Sequence, residues 1–245
     1  MPMKEDYMNN GQLKPGYNVQ ISTNEQFVVN YSLHHNPTDT KTLIPHMEQY
    51  KALYKSLPEV QIADAGYGSE ENYQYLQEQG VEAYIKQYHF DRQQHKKHTA
   101  ANPYANDQLQ YDQAKNIYYC PAGNPMKPIV QYQKNSEAGF VKTYTRYKAT
   151  GCKKCPLRNA CHKQRGNRIY DVNREGKKLQ KQASERLLSE KGIYYRKKRP
   201  VDVEPVFGNI KYNKNFKRFL LKGIDKTEIE WGLLCIAHNL KKIAA

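Results

Sequence analysis

Three groups of residues in this sequence combine types and spacing that could carry chemistry. The first is Asp64, which ends the apolar run 60–63 and is followed by Gly66-Tyr67-Gly68. Because ligands bind at the carboxyl ends of strands in open α/β sheets, its carboxylate is expected at that edge of a sheet. An Asp after a strand is also common as a turn residue or a helix cap, so both interpretations stay open.

The second group is the segment 203–211, which reads VEPVFGNIK. Asp202 is the predicted N-cap of a helix that includes this segment. On such a helix Glu204 and Lys211 lie two turns apart on one face. A carboxylate and an ammonium group at this separation suit a metal ion beside a phosphate backbone. The alternative is an amphipathic surface helix that packs through its apolar residues.

The third group is a set of cysteines in a polar part of the chain. Cys152 and Cys155 form a C-x-x-C pair, Cys161 follows six residues later, and Cys120 lies upstream. Four thiolates can close a tetrahedral zinc site, and paired spacing at a turn suits that geometry. Disulfides are disfavoured because nothing indicates export, while iron–sulfur ligation and unligated thiols stay open. Cys235 is predicted to be a buried core thiol.

Positive charge is concentrated in the C-terminal part of the chain. Residues 141–245 carry 27 Lys and Arg against 9 Asp and Glu, while residues 1–140 carry 12 against 15. Nucleic acid is the expected partner, since each neutralised phosphate releases condensed counterions. A basic surface that only maintains solubility is the alternative. The candidate DNA-binding residues are Arg196, Lys197, Lys198, Arg199, Lys211, Lys214, Lys217 and Arg218.

Composition excludes several classes of protein. No apolar run approaches the ~20 residues that a membrane-spanning helix needs, and the N-terminal residues have no apolar core of the signal-peptide kind. The mean hydropathy is −0.95, but 21 Tyr and 6 Phe supply core material that disordered chains lack. We therefore expect a cytoplasmic, DNA-associated protein with no membrane partner.

The predicted strands and helices that must position these residues alternate in the first part of the chain in the manner of a mixed α/β fold. Residues 16–33 predict a β-hairpin, and a helix follows that ends near Ser56. Short strands at 60–64 and 82–85 flank a helix at about 69–79. The resulting order is β-β-α-β-α-β, which is typical of a mixed α/β fold.

The rest of the chain predicts an insertion and then helices. Periodicity fades over 87–170, where short tyrosine-bearing runs indicate a small β-rich insertion that contains the cysteines. Helical character returns at 171–191. Thr227 and Glu230 form a capping box at the start of a last helix, about 227–243. Its apolar residues recur on one stripe of the helix: Ile229, Leu233, Ile236, Leu240 and Ile243.

Four sequence blocks, taken in their order and spacing, resemble the catalytic part of bacterial insertion-sequence transposases of the DDE type. The blocks are GYNVQ at 16–20, HNPTD at 35–39, ADAGY at 63–67 and VEPVFGNIK at 203–211. The run EWGLLCIAHNL at 230–240 fits as well. The resemblance covers nearly the whole chain. It is greatest to the group with a cysteine-bearing insertion between its second and third acidic residues.

The resemblance implies a ribonuclease-H-like mixed sheet in which three carboxylates hold two Mg²⁺ or Mn²⁺ ions for cleavage and joining of DNA. Asp64 matches the family's second Asp, Glu204 matches its Glu, and Lys211 matches the Lys that contacts terminal DNA. Residues 16–86 and 171–245 are then the two parts of the catalytic domain. The implied partners are transposon ends, target DNA and further copies of the full-length protein.

One departure from the family pattern lies just before the Glu. The family's Tyr and Arg usually lie seven and four residues ahead of it, where this sequence has Lys197 and Pro200. Tyr195 and Arg199 lie nearby but out of step. The resemblance therefore assigns these two residues no role.

A second departure lies near the start of the chain. The first catalytic Asp of the family belongs on a central strand before residue 16, whereas residues 1–15 contain Glu5 and Asp6 but no apolar strand. We expect a truncated copy that lacks its first strand and is catalytically incomplete. The alternatives are a non-catalytic, basic DNA-binding protein and a zinc-stapled interaction module.

Overall fold

The computed structural model has a mixed α/β architecture that divides into two compact units. The first unit comprises Met1–Tyr88 and Gln182–Ala245, and the second comprises His89–Lys181. The insertion was predicted over 87–170, whereas the second unit begins two residues later and ends eleven residues later. The structure describes residues 3–5, 11–94, 102–136 and 138–244.

The first unit contains both strands and helices, while strands dominate the second. The strands of the described residues are β1 (Met3–Glu5), β2 (Leu13–Pro15), β3 (Asn18–Asn24), β4 (Phe27–His34), β5 (Val60–Ala63), β6 (Glu82–Ile85), β7 (Tyr111–Asp112), β8 (Ile117–Tyr119), β9 (Pro125–Asn135), β10 (Val141–Lys148) and β11 (Ile169–Val172). The helices are α1 (Leu43–Tyr54), α2 (Glu70–Glu78), α3 (Phe90–Gln94), α4 (Arg158–Cys161), α5 (Arg174–Leu188), α6 (Glu190–Gly208) and α7 (Ile224–Ile243).

The predicted hairpin is confirmed as the antiparallel pair β3–β4. Val19 pairs with Leu33, and Asn24 pairs with Phe27 at the turn. The two turn residues between Asn24 and Phe27 have φ values of 52° and 65°. Left-handed backbone at both central positions matches the twist of a two-residue hairpin, which explains the tight connection.

The predicted strands at 60–64 and 82–85 are confirmed as the parallel pair β5–β6, with α2 in the crossover between them. Ser69 caps α2 by accepting a hydrogen bond from the N–H of Asn72 at 3.2 Å. Within the described residues, β3–β4 and β5–β6 are separate two-stranded sheets. The short pair β1–β2 forms another, which the sequence did not predict. Asp6 and the side chain of Glu5 lie outside the described residues.

Helix α6 begins well before the predicted position. Ser189 is its N-cap and accepts a hydrogen bond from the N–H of Gly192 at 3.1 Å. The prediction that Asp202 caps the helix is wrong, because its carboxylate instead accepts a hydrogen bond from the N–H of Gln26 in the hairpin turn. A π-helical segment, Asn209–Asn213, continues α6 and contains Lys211.

Helix α7 begins at Ile224, and the predicted capping box is wrong. Thr227 lies inside the helix, where its hydroxyl donates to the carbonyl of Gly223 at 2.8 Å. The carboxylate of Glu230 accepts a hydrogen bond from the N–H of Leu220 at 3.0 Å. Gly223 has a φ of 89°, a conformation that favours glycine and precedes the first helical residue.

The face of α7 that packs inward is not the predicted apolar stripe. Trp231 is 1% exposed and Cys235 is buried as predicted, whereas the five stripe residues are 56–72% exposed. A Cβ atom on Gly232 would lie 2.3 Å from the hydroxyl of Tyr31, so glycine allows α7 to approach β4 closely. The core of the first unit between the hairpin, α6 and α7 comprises Val28, Leu33, Val206, Ile210, Trp231 and Cys235.

The second unit is built on a five-stranded antiparallel sheet with the order β11-β10-β9-β8-β7. Its core is rich in tyrosine, as Tyr118 packs edge-on against both Tyr147 and Tyr170. Arg146 and Asp171 form a two-pronged ion pair between β10 and β11, with N–O distances of 2.7 and 2.8 Å. None of the helices in the described residues is long and apolar enough to cross a membrane.

Candidate functional site

A cavity of about 240 Å³ lies in the first unit between β3 and β5. Residues 18–22 of β3 and 61–63 of β5 line it consecutively. Because successive side chains of a strand point to opposite faces, a consecutive run means that the edge of each strand borders the cavity. Within the described residues β3 pairs only with β4, and β5 pairs only with β6. The cavity therefore separates the edges of two small sheets.

Asp64 follows β5 directly and lines this cavity, at the strand end where the sequence predicted it. Its Oδ1 accepts a hydrogen bond from the N–H of Ala65 at 2.8 Å. Its Oδ2 lies 3.4 Å from Nη2 of Arg199, and the two side chains are 56% and 26% exposed. The Asp64 carboxylate therefore has a cationic partner from α6 while remaining open to solvent.

A second carboxylate, Asp39, lines the same cavity. Asn18 and Gln20 donate their side-chain N–H groups to its Oδ1 at 2.8 and 3.1 Å. A Cβ atom on Gly66 would lie 2.8 Å from Asp39 Oδ2, so the chain after Asp64 passes directly against this carboxylate. Asp39 was not among the candidate site residues. Its place in the HNPTD block was the only sequence signal that marked it.

A buried histidine extends the polar lining of the cavity. Ser22 and Ser32 form hydrogen bonds with the two ring nitrogens of His46 at 2.8 and 2.7 Å. Burial and the neighbouring His34 lower the pKa of His46 to about 4. Burial and the nearby Asp39 carboxylate raise the pKa of Tyr67 well above its ordinary value. Both groups are therefore neutral near pH 7.

Glu204 lies on α6, five residues after Arg199, and is exposed. The residues of α6 that line the cavity are Arg199, Val203 and Phe207, and Glu204 is not among them. Among the described residues, no group of three or more His, Cys, Asp or Glu side chains is placed so that it could hold a metal ion. The residues as placed therefore do not fit the two-metal site that the family resemblance implies.

The predicted DNA-binding residues have several different surroundings. Lys211 Nζ lies 5.1 Å from the ring centroid of Phe207, and Lys217 Nζ lies 5.4 Å from that of Tyr212. Lys214 donates to the carbonyl of Ala237 at 3.1 Å. Arg199 contacts Asp64 rather than facing only solvent. The other four are Arg196, Lys197 and Lys198 on α6, and the exposed Arg218.

The second unit brings the four predicted zinc ligands to one small cavity, which Cys120, Cys152, Cys155 and Cys161 all line. Cys120 directly follows β8, Cys152 begins a turn of 3-10 helix, and Cys161 ends α4. All four are free thiols in the structure. Spacing along the chain thus identified a group of residues that lie together in space.

Comparison with protein-family models gives one match. The model described as Transposase DDE domain matches residues 119–244, which is just over half of the chain. The matched region contains Glu204, all the predicted DNA-binding residues and the four clustered cysteines, but not Asp64. No curated protein and no solved structure matches the chain.

Proposed function

Because the chain belongs to the transposase DDE domain family, we propose that it is a catalytically incomplete copy of a transposase, an enzyme that cleaves and joins DNA in the transposition of a bacterial insertion sequence. The observation that carries this proposal is the ion pair between Asp64 and Arg199. It joins the carboxylate at the end of β5 to α6, the helix that also bears Glu204. Two distant blocks of the family pattern are thereby neighbours in the first unit.

We propose Asp64 and Glu204 as the acidic residues that this reaction requires. Glu204 lies five residues beyond Arg199 on α6, which is about 7.5 Å further along the helix and about 140° around it. It is not among the residues that line the cavity with Asp64. Members of the family generally use a divalent metal ion, which activates the attacking oxygen and stabilises the leaving oxygen of the phosphate. The Asp64 carboxylate is open to solvent, accepts the N–H of Ala65 and forms a partly exposed ion pair with Arg199.

We further propose that the first unit is a ribonuclease-H-like sheet whose first strand belongs between β3 and β5. The cavity between the two strand edges supports this placement, because a strand there would pair with both edges and join the two small sheets. In the family that strand carries the first catalytic Asp. Its position beside β5 would bring a further carboxylate next to Asp64.

DNA is the partner in this proposal, and the basic surface around α6 is its binding site. Lys197, Lys211 and Arg218 are exposed to solvent in the same unit as Asp64. Each Lys or Arg that contacts a phosphate displaces condensed counterions, so the affinity must fall steeply with salt. Localisation follows from the substrate, which we propose to be DNA in the bacterial cytoplasm.

The proposal is tested by a strand-transfer assay on the full chain. Duplex oligonucleotides that carry the two ends of the element are incubated with target plasmid, with Mg²⁺ or with EDTA. We expect the chain to bind these ends but to join them only at background level, because the carboxylate of the proposed first strand is missing from the site. Robust Mg²⁺-dependent joining that Asp64→Asn and Glu204→Gln each abolish would instead show that the site is complete. Glu175→Gln, at an exposed glutamate on α5, is the matched control and should leave joining unchanged.

Two results would contradict the assignment. Joining that persists in both acidic variants would show that these carboxylates are not required. Salt-sensitive binding of any duplex, without preference for the ends of the element, would instead support the alternative of a non-catalytic DNA-binding protein. Filter binding of the same oligonucleotides measures DNA affinity separately from the chemistry.

A further inference from the structure

The cysteine cavity of the second unit contains chemistry that the proposed DNA reaction does not use. We propose that it binds one Zn²⁺ ion through four thiolates, and that Arg168 and His162 stabilise this centre by donating hydrogen bonds to its sulfur atoms. The four ligands are Cys120, Cys152, Cys155 and Cys161. This proposal rests on the second unit alone and is independent of the DNA-cleaving function.

The cavity has the size and the supporting loops of a metal site. Its free volume is about 10 Å³, which is close to that of a single small occupant. Cys120 lies in a turn closed by its own N–H, which donates to the carbonyl of Asn124 at 2.9 Å. The N–H of Cys155 donates to the carbonyl of Cys152 at 3.3 Å. Backbone hydrogen bonds therefore hold both ligand-bearing turns.

The buried guanidinium of Arg168 lies beside the cysteine sulfur atoms, and its positive charge needs an anionic partner. Arg168 is 4% exposed, and its Nη1 donates to Cys161 Sγ at 3.0 Å. Its Nη2 donates to the carbonyl of Tyr104 and to the side-chain oxygen of Asn106, both at 2.7 Å. These two oxygens are uncharged, and a buried guanidinium is costly unless an anion compensates it. Zinc bound by four thiolates is an anionic centre, which supplies that charge.

The backbone of Arg168 makes a second contact of the same kind. Its N–H donates to Cys152 Sγ at 3.4 Å. Hydrogen-bond donors to ligand sulfur are typical of the shell around a metal site, where they orient the ligands and stabilise their charge. One residue thus serves two of the four proposed ligands, which come from opposite ends of the segment 152–161.

His162 lines the same cavity and has an unsatisfied donor. Its Nδ1 accepts a hydrogen bond from the N–H of Gln164 at 3.2 Å. A backbone N–H can only donate, so the proton of the neutral ring lies on Nε2. Nε2 is buried and has no hydrogen-bond partner among the described residues. A metal-bound thiolate is the acceptor that this N–H lacks, which makes His162 a donor to sulfur rather than a fifth ligand.

The four thiols line one cavity but are not placed as a coordination group in the described structure. Each cysteine has a single side-chain torsion between its backbone and its sulfur, so rotation about that bond redirects the sulfur without a change of backbone. Each thiol that binds zinc releases its proton to solvent. We therefore expect zinc affinity to fall as the pH is lowered.

Metal content and cobalt substitution test this proposal on the full chain. We expect one zinc per chain by elemental analysis after expression in zinc-supplemented medium. Replacement of zinc by Co²⁺ should give the intense visible absorption of a tetrahedral site and thiolate-to-cobalt charge-transfer bands. The cobalt spectrum needs no variant, so it reports on the site even where a cysteine variant fails to fold.

Variants then separate the ligands from the donors. Cys→Ser at each of the four positions should abolish stoichiometric zinc, while Cys235→Ala in the first unit should retain it. His162→Phe and Arg168→Met should keep one zinc per chain but bind it roughly 10- to 100-fold more weakly in chelator competition.

Three results would overturn the proposal. The first is a chain that carries no zinc after this expression. The second is iron with inorganic sulfide in place of zinc. The third is loss of stoichiometric zinc in His162→Phe together with a cobalt spectrum of fewer thiolates, which would make the histidine a ligand.

Discussion

Arg199 on α6 forms an ion pair with Asp64 at the end of β5, and the two contacting atoms, Nη2 and Oδ2, are 3.4 Å apart. The family pattern puts its Arg one residue later, at Pro200, so comparison by spacing alone assigned Arg199 no role. In the structure this side chain is the link between the strand that carries one proposed acidic residue and the helix that carries the other.

This ion pair should contribute little to the stability of the fold. We expect Arg199→Gln to change the free energy of unfolding by less than about 1 kcal/mol, because both side chains contact water and surface pairs are largely offset by hydration. Urea denaturation measures the change, with Lys197→Gln as the control on the exposed side of the same helix. A loss of several kcal/mol from Arg199→Gln alone would show that the arginine is a structural residue.

The buried His46 should make stability depend on pH. Its pKa in the folded chain is about 4, below its ordinary value of 6.5. Between these two values the unfolded chain binds the proton and the folded chain does not, so stability must fall as the pH is lowered from 6.5 to 4. The full loss from this group is about 3 kcal/mol.

Denaturation at a series of pH values checks this expectation. His46→Gln should flatten the dependence between pH 6.5 and 4, because glutamine does not titrate. His35→Gln, at an exposed histidine, should leave the dependence of the unmutated chain in place. Parallel curves for the unmutated chain and His46→Gln would exclude His46 as the source.

The close approach of Gly66 to Asp39 gives a third prediction. A Cβ atom there would lie 2.8 Å from the carboxylate oxygen, so Gly66→Ala must displace Asp39 or the backbone after Asp64. We expect a cost of about 1–3 kcal/mol in the free energy of unfolding. Gly166→Ala is the control, since its added Cβ would meet no atom within 4 Å.

A double variant identifies the cause of this cost. In an Asp39→Ala background the oxygen that Gly66→Ala would meet is absent, so the added methyl group should cost much less than it does alone. Equal costs in both backgrounds would mean that the cost does not come from the contact with Asp39.

The sequence predicted the positions of strands and helices better than it predicted which of their faces are buried. Alternating residues and turn chemistry located β3–β4, and the short apolar run located β5, because these signals depend on near neighbours in the chain. The apolar stripe of α7 was a poor guide, since Trp231 packs against Phe207 and Phe216, and Gly232 lets the helix approach Tyr31 of β4. Which face of a helix is buried depends on its partner, and periodicity does not contain that information.

The candidate sites also contain some residues that local sequence patterns predicted and others that they did not. The C-x-x-C spacing predicted a cluster of thiols that the structure brings to one cavity. By contrast, Asp39 lies in the same cavity as Asp64 because Asn18 and Gln20 hold it there and the chain passes against it at Gly66. No local sequence pattern marks these contacts. The cap predicted at Asp202 failed because a better-placed cap, Ser189, starts the helix earlier and leaves Asp202 to bind the hairpin turn.

The basic surface gives the last prediction, which concerns the salt dependence of DNA binding. If Lys197 contacts a phosphate, Lys197→Gln should weaken binding to all duplex sequences alike and reduce the slope of log affinity against log salt by about 1. Lys178→Gln on α5, at an exposed lysine outside the proposed surface, should leave the slope unchanged. The slope is the decisive measurement, because a variant that only perturbs folding lowers the fraction of active protein and shifts the curve without changing its steepness. Equal slopes for the unmutated chain and Lys197→Gln would remove this residue from the DNA interface.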